Sequence, residues 1–363
     1  MKSLIITGIF PPEIGGPATF TVAFSKWLES HGYEATILTL NPQKRSKIKN
    51  GVIYIPRLKP KIFRFLFVSW HILREFKSVD SILATGLHEE TGFALHLIRK
   101  MSIARIVGDP VWERATNGGR TTLSVSEFQN SRLDFIAKIQ RKLLVWSLNQ
   151  FTQITCPSLE LCQIVKNWGV QLPVKYIPNG VEIMAMDAVP KQYDIITISR
   201  LVNWKNLDQV LEATRGLKLK ILIVGDGPEM KHLVEKSLAL GVDAEFAGEV
   251  PQERTRILLQ QSKMFIQVSS YEGLSFSLLQ AMETGIPCIV SNIPGNLQVI
   301  QNNSEALIVE LGDHKQLRQS IESILNSPTL ANNLSLNSRM RICQDFNQDK
   351  QFQNLIEALE LGN

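Results

Sequence analysis

The chain has 363 residues, 44% apolar and 20% charged, enough apolar material for two packed cores and hence for two domains. No apolar run approaches the ~20 residues of a membrane-spanning helix. The four cysteines (Cys156, Cys162, Cys288, Cys343) have neither metal-ligand spacing nor a disulfide framework, so they read as small buried hydrophobes in a reducing cytoplasm. Net charge is +5, but up to Met184 there are 23 Lys/Arg against 13 Asp/Glu, and beyond it 16 against 21. Such a split argues for different partners on the two halves.

Strand-like and helical patterns alternate along the chain, which implies βαβ units and a parallel sheet in each half. Residues 1–10 are apolar and stop at Pro11-Pro12 without a small-residue cleavage site, so they are read as a buried first strand and not as a signal peptide. An amphipathic helix at 20–30 and a strand at 35–40 follow. The loop before that helix holds Gly15-Gly16, which is either a plain turn or a place where backbone approaches a ligand closely. Strands are expected at 52–55, 81–84 and 103–107, a long helix at 133–149 and a strand at 153–156. Turn chemistry in Ile177-Pro178-Asn179-Gly180-Val181 and a break at Val189-Pro190-Lys191 place the domain boundary within 178–190. The domains are therefore taken as 1–184 and 185–345, with a final helix near 349–361. The second half restarts with strands at 194–198 and 219–224.

Chemistry concentrates at strand ends of the second half. After a strand-like Met264-Phe265-Ile266-Gln267-Val268 comes Tyr271-Glu272-Gly273-Leu274-Ser275-Phe276-Ser277-Leu278-Leu279-Gln280, a loop that opens a helix. A helix N-terminus offers unpaired N–H groups and a positive dipole end to an anion. Glu272 beside it would repel a bare phosphate but suits a ligand that also carries hydroxyls, as a nucleotide sugar does. Ser199-Arg200-Leu201-Val202-Asn203-Trp204-Lys205 places two cations after the strand at 194–198, where open α/β sheets bind ligands.

These segments resemble the retaining glycosyltransferases of family four. The resemblance covers nearly the whole chain and implies the GT-B fold, an α/β arrangement of two Rossmann-like parallel-sheet domains facing across a cleft. The family signature is Glu, seven residues, Glu. Glu272 matches the first position, and Gln280 stands at the second, where an amide can still accept from a ribose hydroxyl but without charge assistance. The resemblance implies that Glu272 contacts the donor sugar catalytically, that Gly273, Leu274 and Ser275 line phosphate and sugar, and that Arg200 and Lys205 clamp the donor diphosphate. It also implies that Gly16 reaches the donor phosphate, that Gly15 shapes the acceptor pocket, and that Glu249 or Val250 touches the nucleobase. The final helix is expected to cross back onto the first domain. Gly225-Asp226-Gly227-Pro228 lacks the third glycine of a dinucleotide fingerprint and is taken as a structural turn. Asn292-Ile293-Pro294-Gly295-Asn296, after the next strand, is expected to support the site.

In the first half, Asp109 ends a strand and is either a catalytic proton acceptor toward the acceptor hydroxyl or an N-cap. His88 and Glu89, at the end of another strand, are candidate acceptor contacts. No Asp-x-Asp is present to hold a divalent metal on a diphosphate, so no metal or other cofactor is expected. Lys59-Pro60-Lys61-Ile62-Phe63-Arg64-Phe65-Leu66-Phe67-Val68-Ser69-Trp70 sits within a stretch of ten cations and one acid. It suits either an interfacial helix on an anionic membrane or an ordinary helix facing the sheet. Nucleic acid is not expected, since no recognition motif accompanies it. The expected function is retaining transfer from a nucleoside-diphosphate sugar to a cell-surface glycan or lipid-linked acceptor. The expected location is cytoplasmic, peripheral on the inner face of the plasma membrane if the basic stretch meets lipid. The alternatives are a nucleotide-sugar-binding protein without transfer activity, suggested by Gln280, and an epimerase.

Overall fold

Runs such as Leu4-Ile5-Ile6 and Ile195-Ile196 are apolar on successive positions, as strands must be when helices cover both faces of a parallel sheet. The computed structural model describes residues 1–13, 15–41, 47–49, 51–58, 60–185 and 189–360, and it forms two such sheets. The first unit comprises Met1–Pro178 together with Gln351–Asn363, and the second Asn179–Lys350. The chain thus passes between units at Pro178, ahead of the expected 184, and returns at Gln351.

The first unit runs β1 (Lys2–Thr7), α1 (Gly16–Ser30), β2 (Glu34–Asn41), β3 (Lys47–Lys49), β4 (Val52–Pro56), α2 (Lys61–Glu75), β5 (Ser81–Ala84) and α3 (His88–Leu97). It continues with β6 (Met101–Arg105), α4 (Pro110–Asn117), α5 (Val125–Asn130), α6 (Phe135–Leu148), β7 (Gln153–Cys156), α7 (Leu159–Asn167) and β8 (Val174–Tyr176). Strand order is β3-β4-β2-β1-β5-β6-β7-β8, with β3 antiparallel to β4 and the other pairs parallel. The short helices α4 and α5 escape a reading by apolar period. Their ends are set by caps, Asp109 on α4 and a Ser124–Glu127 capping box on α5. Strand β6 begins at Met101 and stops at Arg105, two residues before the expected end.

The second unit runs β9 (Tyr193–Ile198), α8 (Leu207–Thr214), β10 (Lys220–Val224), α9 (Met230–Leu240), β11 (Asp243–Gly248), α10 (Gln252–Gln260) and β12 (Ser262–Gln267). Then come α11 (Phe276–Glu283), β13 (Cys288–Ser291), α12 (Pro294–Leu297), β14 (Leu307–Val309), α13 (His314–Asn326), α14 (Pro328–Asp345) and α15 (Gln348–Glu360). Its parallel sheet has the order β11-β10-β9-β12-β13-β14. Successive side chains divide between two cores. Ile196, Leu222, Phe265 and Val290 enter one, and Ile195, Ile221, Met264 and Ile289 the other.

The crossing points are sewn together within the second unit. Val181 N–H donates to Phe346 O (2.9 Å), Gln348 N–H donates to Val181 O (3.1 Å), and a Cβ on Gly180 would lie 2.7 Å from Asn347 O. Beyond them α15 joins the first unit, where its buried Phe352 meets the rings of Phe20, Phe24 and Trp27 at 5.0–5.8 Å. Cys156, Cys162 and Cys288 are buried as expected, whereas Cys343 is exposed on α14. Among the described residues no helix is long and apolar enough to cross a membrane.

Candidate active site

In the second unit the chain lays down β9, β10 and β11 toward one edge, then returns to place β12, β13 and β14 on the other side of β9. The direction reverses between β9 and β12. At such a switch point the loops leaving the carboxyl ends of the two strands diverge and open a crevice. One loop carries Arg200 and Lys205, and the other carries Glu272.

Lys205 Nζ donates to Glu272 Oε1 at 2.5 Å, and Ser269 Oγ donates to the same oxygen at 2.6 Å. The paired side chains are only 16% and 11% exposed. Oε2 of Glu272 has no hydrogen-bond partner among the described residues. This pairing answers the objection that an acid beside an anion site repels its ligand, because the lysine compensates the carboxylate at contact distance. Arg200 is exposed at the end of β9, and Ser199 Oγ beside it is buried without a hydrogen-bond partner among the described residues.

Neighbouring loops brace both sides. A Cβ on Gly225 would lie 1.9 Å from Ser199 O, and one on Gly227 2.3 Å from Leu201 O. Ser199 N–H donates to Val224 O (3.0 Å) and Leu201 N–H to Asp226 O (2.9 Å), closing the contact. The Gly-Asp-Gly-Pro turn therefore supports the arginine loop by backbone packing, which only glycine permits here. On the opposite side a Cβ on Gly295 would lie 2.0 Å from Glu272 O, so α12 presses directly on the signature loop.

A buried polar chain lies beneath. Ser275 Oγ caps α11 by accepting from Leu278 N–H (3.2 Å) and donates to Gln267 Oε1 (2.6 Å). Gln267 Nε2 donates to Asn296 Oδ1 (2.9 Å), Asn296 Nδ2 to Ser291 O (3.0 Å), and Ser291 Oγ to Ser269 O (2.6 Å). Gln267, Ser291 and Asn296 are all buried. The chain ends at Ser269, the residue that holds Glu272. Such a satisfied network rigidifies what it touches. Sequence reasoning missed Gln267 and Ser269 as parts of the site, whereas Asn296 lies in the segment expected to support it. The available signal was a glutamine inside an otherwise apolar strand, since a buried amide requires partners.

The other expected donor residues occupy graded positions. Gly273 and Leu274 are buried. The Leu274 side chain belongs to the core, and its carbonyl accepts from Asn179 Nδ2 at 2.9 Å, so only its backbone is placed for a ligand. Gln280 is half-buried on α11, and Val250 is half-buried against the core.

In the first unit Gly15 precedes α1, where a Cβ would meet only the movable end of Ile9 at 2.8 Å, and Gly16 opens the helix ahead of Pro17. Three expectations need correction here. Asp109 is fully buried and is a structural cap, not a proton acceptor at a surface. Its Oδ1 takes the N–H groups of Val111 and Trp112, and its Oδ2 takes Gln129 Nε2 and the Arg141 guanidinium at 2.5 Å. His88 turns inward, with Nε2 3.3 Å from Arg105 O, and burial lowers its pKa below the usual histidine range. Glu89 is also buried and is tied to Arg114 at 2.7 Å. Burial would raise its pKa, but the arginine's charge and hydrogen bond prevail and lower it. His88 thus turns its ring away from any acceptor, while Glu89 is largely covered by its ion pair.

Residues 14–184 match the family described as Glycosyltransferase Family 4, and residues 184–341 the one described as Glycosyl transferases group 1. The chain is a family-4-like glycosyltransferase. It is 28% identical to the N-acetyl-alpha-D-glucosaminyl L-malate synthase of Bacillus anthracis over 93% of this chain and 92% of that protein. It is 24% identical to the UDP-Gal:alpha-D-GlcNAc-diphosphoundecaprenol alpha-1,3-galactosyltransferase of Escherichia coli over 67% of each. Its fold matches that of Anabaena HepE in complex with UDP-glucose with a TM-score of 0.79, at 15% identity, over 99% of this chain and 100% of that one. The two parallel-sheet units of this glycosyltransferase are those of the GT-B fold.

The burial of Asp109 makes a prediction about this glycosyltransferase. Asp109→Ala removes a cap and strands the buried Arg141, which stacks 4.1 Å over Trp168. Urea denaturation should show a loss of about 3–5 kcal/mol, the usual result of breaking a buried pair by removing one partner. A variant of unchanged stability that has lost activity would restore the catalytic reading.

Proposed function

We propose that this glycosyltransferase moves a sugar, with retention of anomeric configuration, from a nucleoside-diphosphate sugar to a glycan or lipid-linked acceptor without a metal. The observation that carries the reading is the Lys205–Glu272–Ser269 cluster beside Arg200 at the switch point of the second sheet. Arg200 brings a planar fork and Lys205 a point charge to the two phosphates. Together with the first-turn N–H groups of α11, they stabilise negative charge as the diphosphate departs. Glu272 Oε2 is free to accept a sugar hydroxyl and hold the sugar ring in position. With the incoming hydroxyl attacking from the face the diphosphate leaves, the departing phosphate takes the hydroxyl's proton, and configuration is kept. The UDP-sugars named for the Escherichia coli relative and the Anabaena neighbour make uridine nucleotides the first donors to try.

Thermal unfolding with UDP-, GDP- and dTDP-sugars tests the donor class, since a ligand at a hundred times its Kd stabilises by about 2.7 kcal/mol. No shift with any of them would remove the reading. Slow hydrolysis of the stabilising donor without acceptor separates a transferase from a binding protein in which Gln280 has cost activity.

Because the cations at the site are protein side chains, transfer should proceed unchanged in EDTA. Activity lost to the chelator and restored only by Mg²⁺ or Mn²⁺ would show the phosphate site to be misread.

Helix α2 belongs to this reading as a membrane contact. Its Ile62, Phe63, Leu66 and Trp70 are exposed, while Arg64 is drawn inward to Glu90 at 3.1 Å. One face of the helix packs inward and the other leaves apolar side chains exposed, which is what the membrane contact rests on; Lys59 lies outside the described residues.

A further inference from the structure

Helix α6 has a face that nothing in the transfer reaction uses. Phe135 is 77% exposed, Ile136 and Ile139 are each 51% exposed, and Leu143 and Trp146 continue the same side of the helix. These residues recur at helical spacing and make one stripe. A stripe of large apolar side chains in water calls for a partner.

The stripe stands on a rigid layer. Helix α3 packs against α2 on one side and α6 on the other. Toward α2 the contact includes Phe65 and Phe93 with ring centroids 5.3 Å apart, and Ser69 Oγ donating to Glu90 O at 3.0 Å. Toward α6, a Cβ on Gly92 would lie 2.5 Å from Ser147 O, so the two backbones nearly touch. His96 of α3 rests on Trp146 at 5.4 Å. The exposed stripes of α2 and α6 are therefore fixed on either side of α3 in one three-helix layer.

Both helices run against the strands they connect. Helix α2 leads into β5 and α6 into β7, so the N-termini of both lie at the carboxyl edge of the sheet. The most exposed apolar residues, Ile62 and Phe63 on α2 and Phe135 and Ile136 on α6, are at that end. The charges agree in sign. Helix α6 contains Lys138 and Lys142, both exposed, and no acid. The acid preceding it, Asp134, is paired with Arg120 at 2.9 Å, and Arg141 is consumed by Asp109. On α2, Lys61 and Arg74 are exposed, and Glu75 lies beside Arg74.

We propose that α6 and α2 together form a two-helix docking surface for an anionic lipid bilayer. Apolar side chains at the N-terminal ends enter the interface, and Lys61, Lys138 and Lys142 meet acidic headgroups. A second copy of the chain is disfavoured as occupant, because pairing this face with itself sets lysines against lysines. The proposal extends the membrane reading of α2 but does not depend on the sugar-transfer chemistry.

The test is co-sedimentation of the full chain with vesicles of phosphatidylcholine alone, and of phosphatidylcholine and phosphatidylglycerol in equal parts. Binding is expected only to the anionic vesicles and should weaken as salt rises. A double variant Phe135→Ser/Ile139→Ser should weaken it on the order of tenfold or more, from two apolar side chains no longer buried. Phe63→Ser/Trp70→Ser should do the same independently. All four residues are exposed, so unchanged thermal unfolding confirms that the variants fold. Loss through the α2 variant alone would overturn the role of α6 and leave the α2 reading standing. Absence of binding to anionic vesicles would overturn both. A concentration-dependent dimer that the α6 variant dissolves would replace the bilayer by a second copy. A donor-induced thermal shift that survives in every variant keeps these outcomes separate from the proposed transfer reaction.

Discussion

Glu272→Ala should lower kcat on the order of a hundredfold or more, the usual cost of letting a reacting group lose its alignment. The carboxylate is held by Lys205 and Ser269 on one oxygen, so it is pre-aimed and not merely nearby. In the proposed mechanism its contact with the sugar strengthens as the bond to the departing diphosphate breaks, and contacts of that kind appear in kcat. Gln280 is a different case. It lies half-buried on α11, and in the proposed donor complex it would hold a ribose hydroxyl equally in ground and transition states. Gln280→Ala should therefore raise KM about fivefold, for a neutral hydrogen bond of about 1 kcal/mol, with kcat little changed. Gln280→Glu should be tolerated, since it keeps an acceptor at the same reach. Steady-state kinetics with the donor found by thermal shift decide the matter. A Glu272→Ala enzyme with near-normal kcat would remove the mechanism.

The second large effect concerns glycines that pack against the loops of the site. Gly225 has φ +129°, and a Cβ there would lie 1.9 Å from the carbonyl oxygen of Ser199. Backbone strain and overlap act together, so Gly225→Ala should cost roughly 3 kcal/mol or more. Gly295→Ala meets Glu272 O at 2.0 Å without a positive φ, and should cost about 1–3 kcal/mol from overlap alone. Gly241 serves as the control. It has φ +64° at the end of α9 with nothing within 4 Å, so alanine there should cost only about 1 kcal/mol. Urea unfolding of the three variants should give that order. Donor affinity measured on the folded fraction should fall for Gly225→Ala and Gly295→Ala but not for Gly241→Ala. Equal losses at Gly225 and Gly241 would mean that the loop contact does not brace the site.

Much of this was legible in the chain. Alternating apolar runs specify parallel strands covered on both faces, because a strand buried on both sides cannot alternate with polar residues, and this predicted both sheets. Loops at the carboxyl ends of β9 and β12, the second rich in serine, carry Arg200, Lys205 and Glu272, residue types whose chemistry suits a sugar diphosphate wherever they lie. What the sequence could not decide was which of them meet. Lys205 and Glu272 are far apart in the chain, and only the order β10-β9-β12 brings their loops to one switch point. The same holds for Asn296, which acts on Glu272 only through Ser291 and Ser269.

Asp109 shows the limit most plainly. An aspartate at a strand end serves equally well as a cap or as a base, and the choice depends on whether water reaches it. Arg141, Gln129 and the first turn of α4 close around it and make it a cap. Helix α6 shows the converse: its apolar residues lie on more than one side, and periodicity alone does not say which side the sheet and α3 will cover. Local pattern and residue chemistry determined the elements and the candidate residues, because backbone geometry and side-chain functionality are local properties. Tertiary structure alone decided pairing, burial and accessibility, because these depend on distances between residues that the chain brings together only by folding.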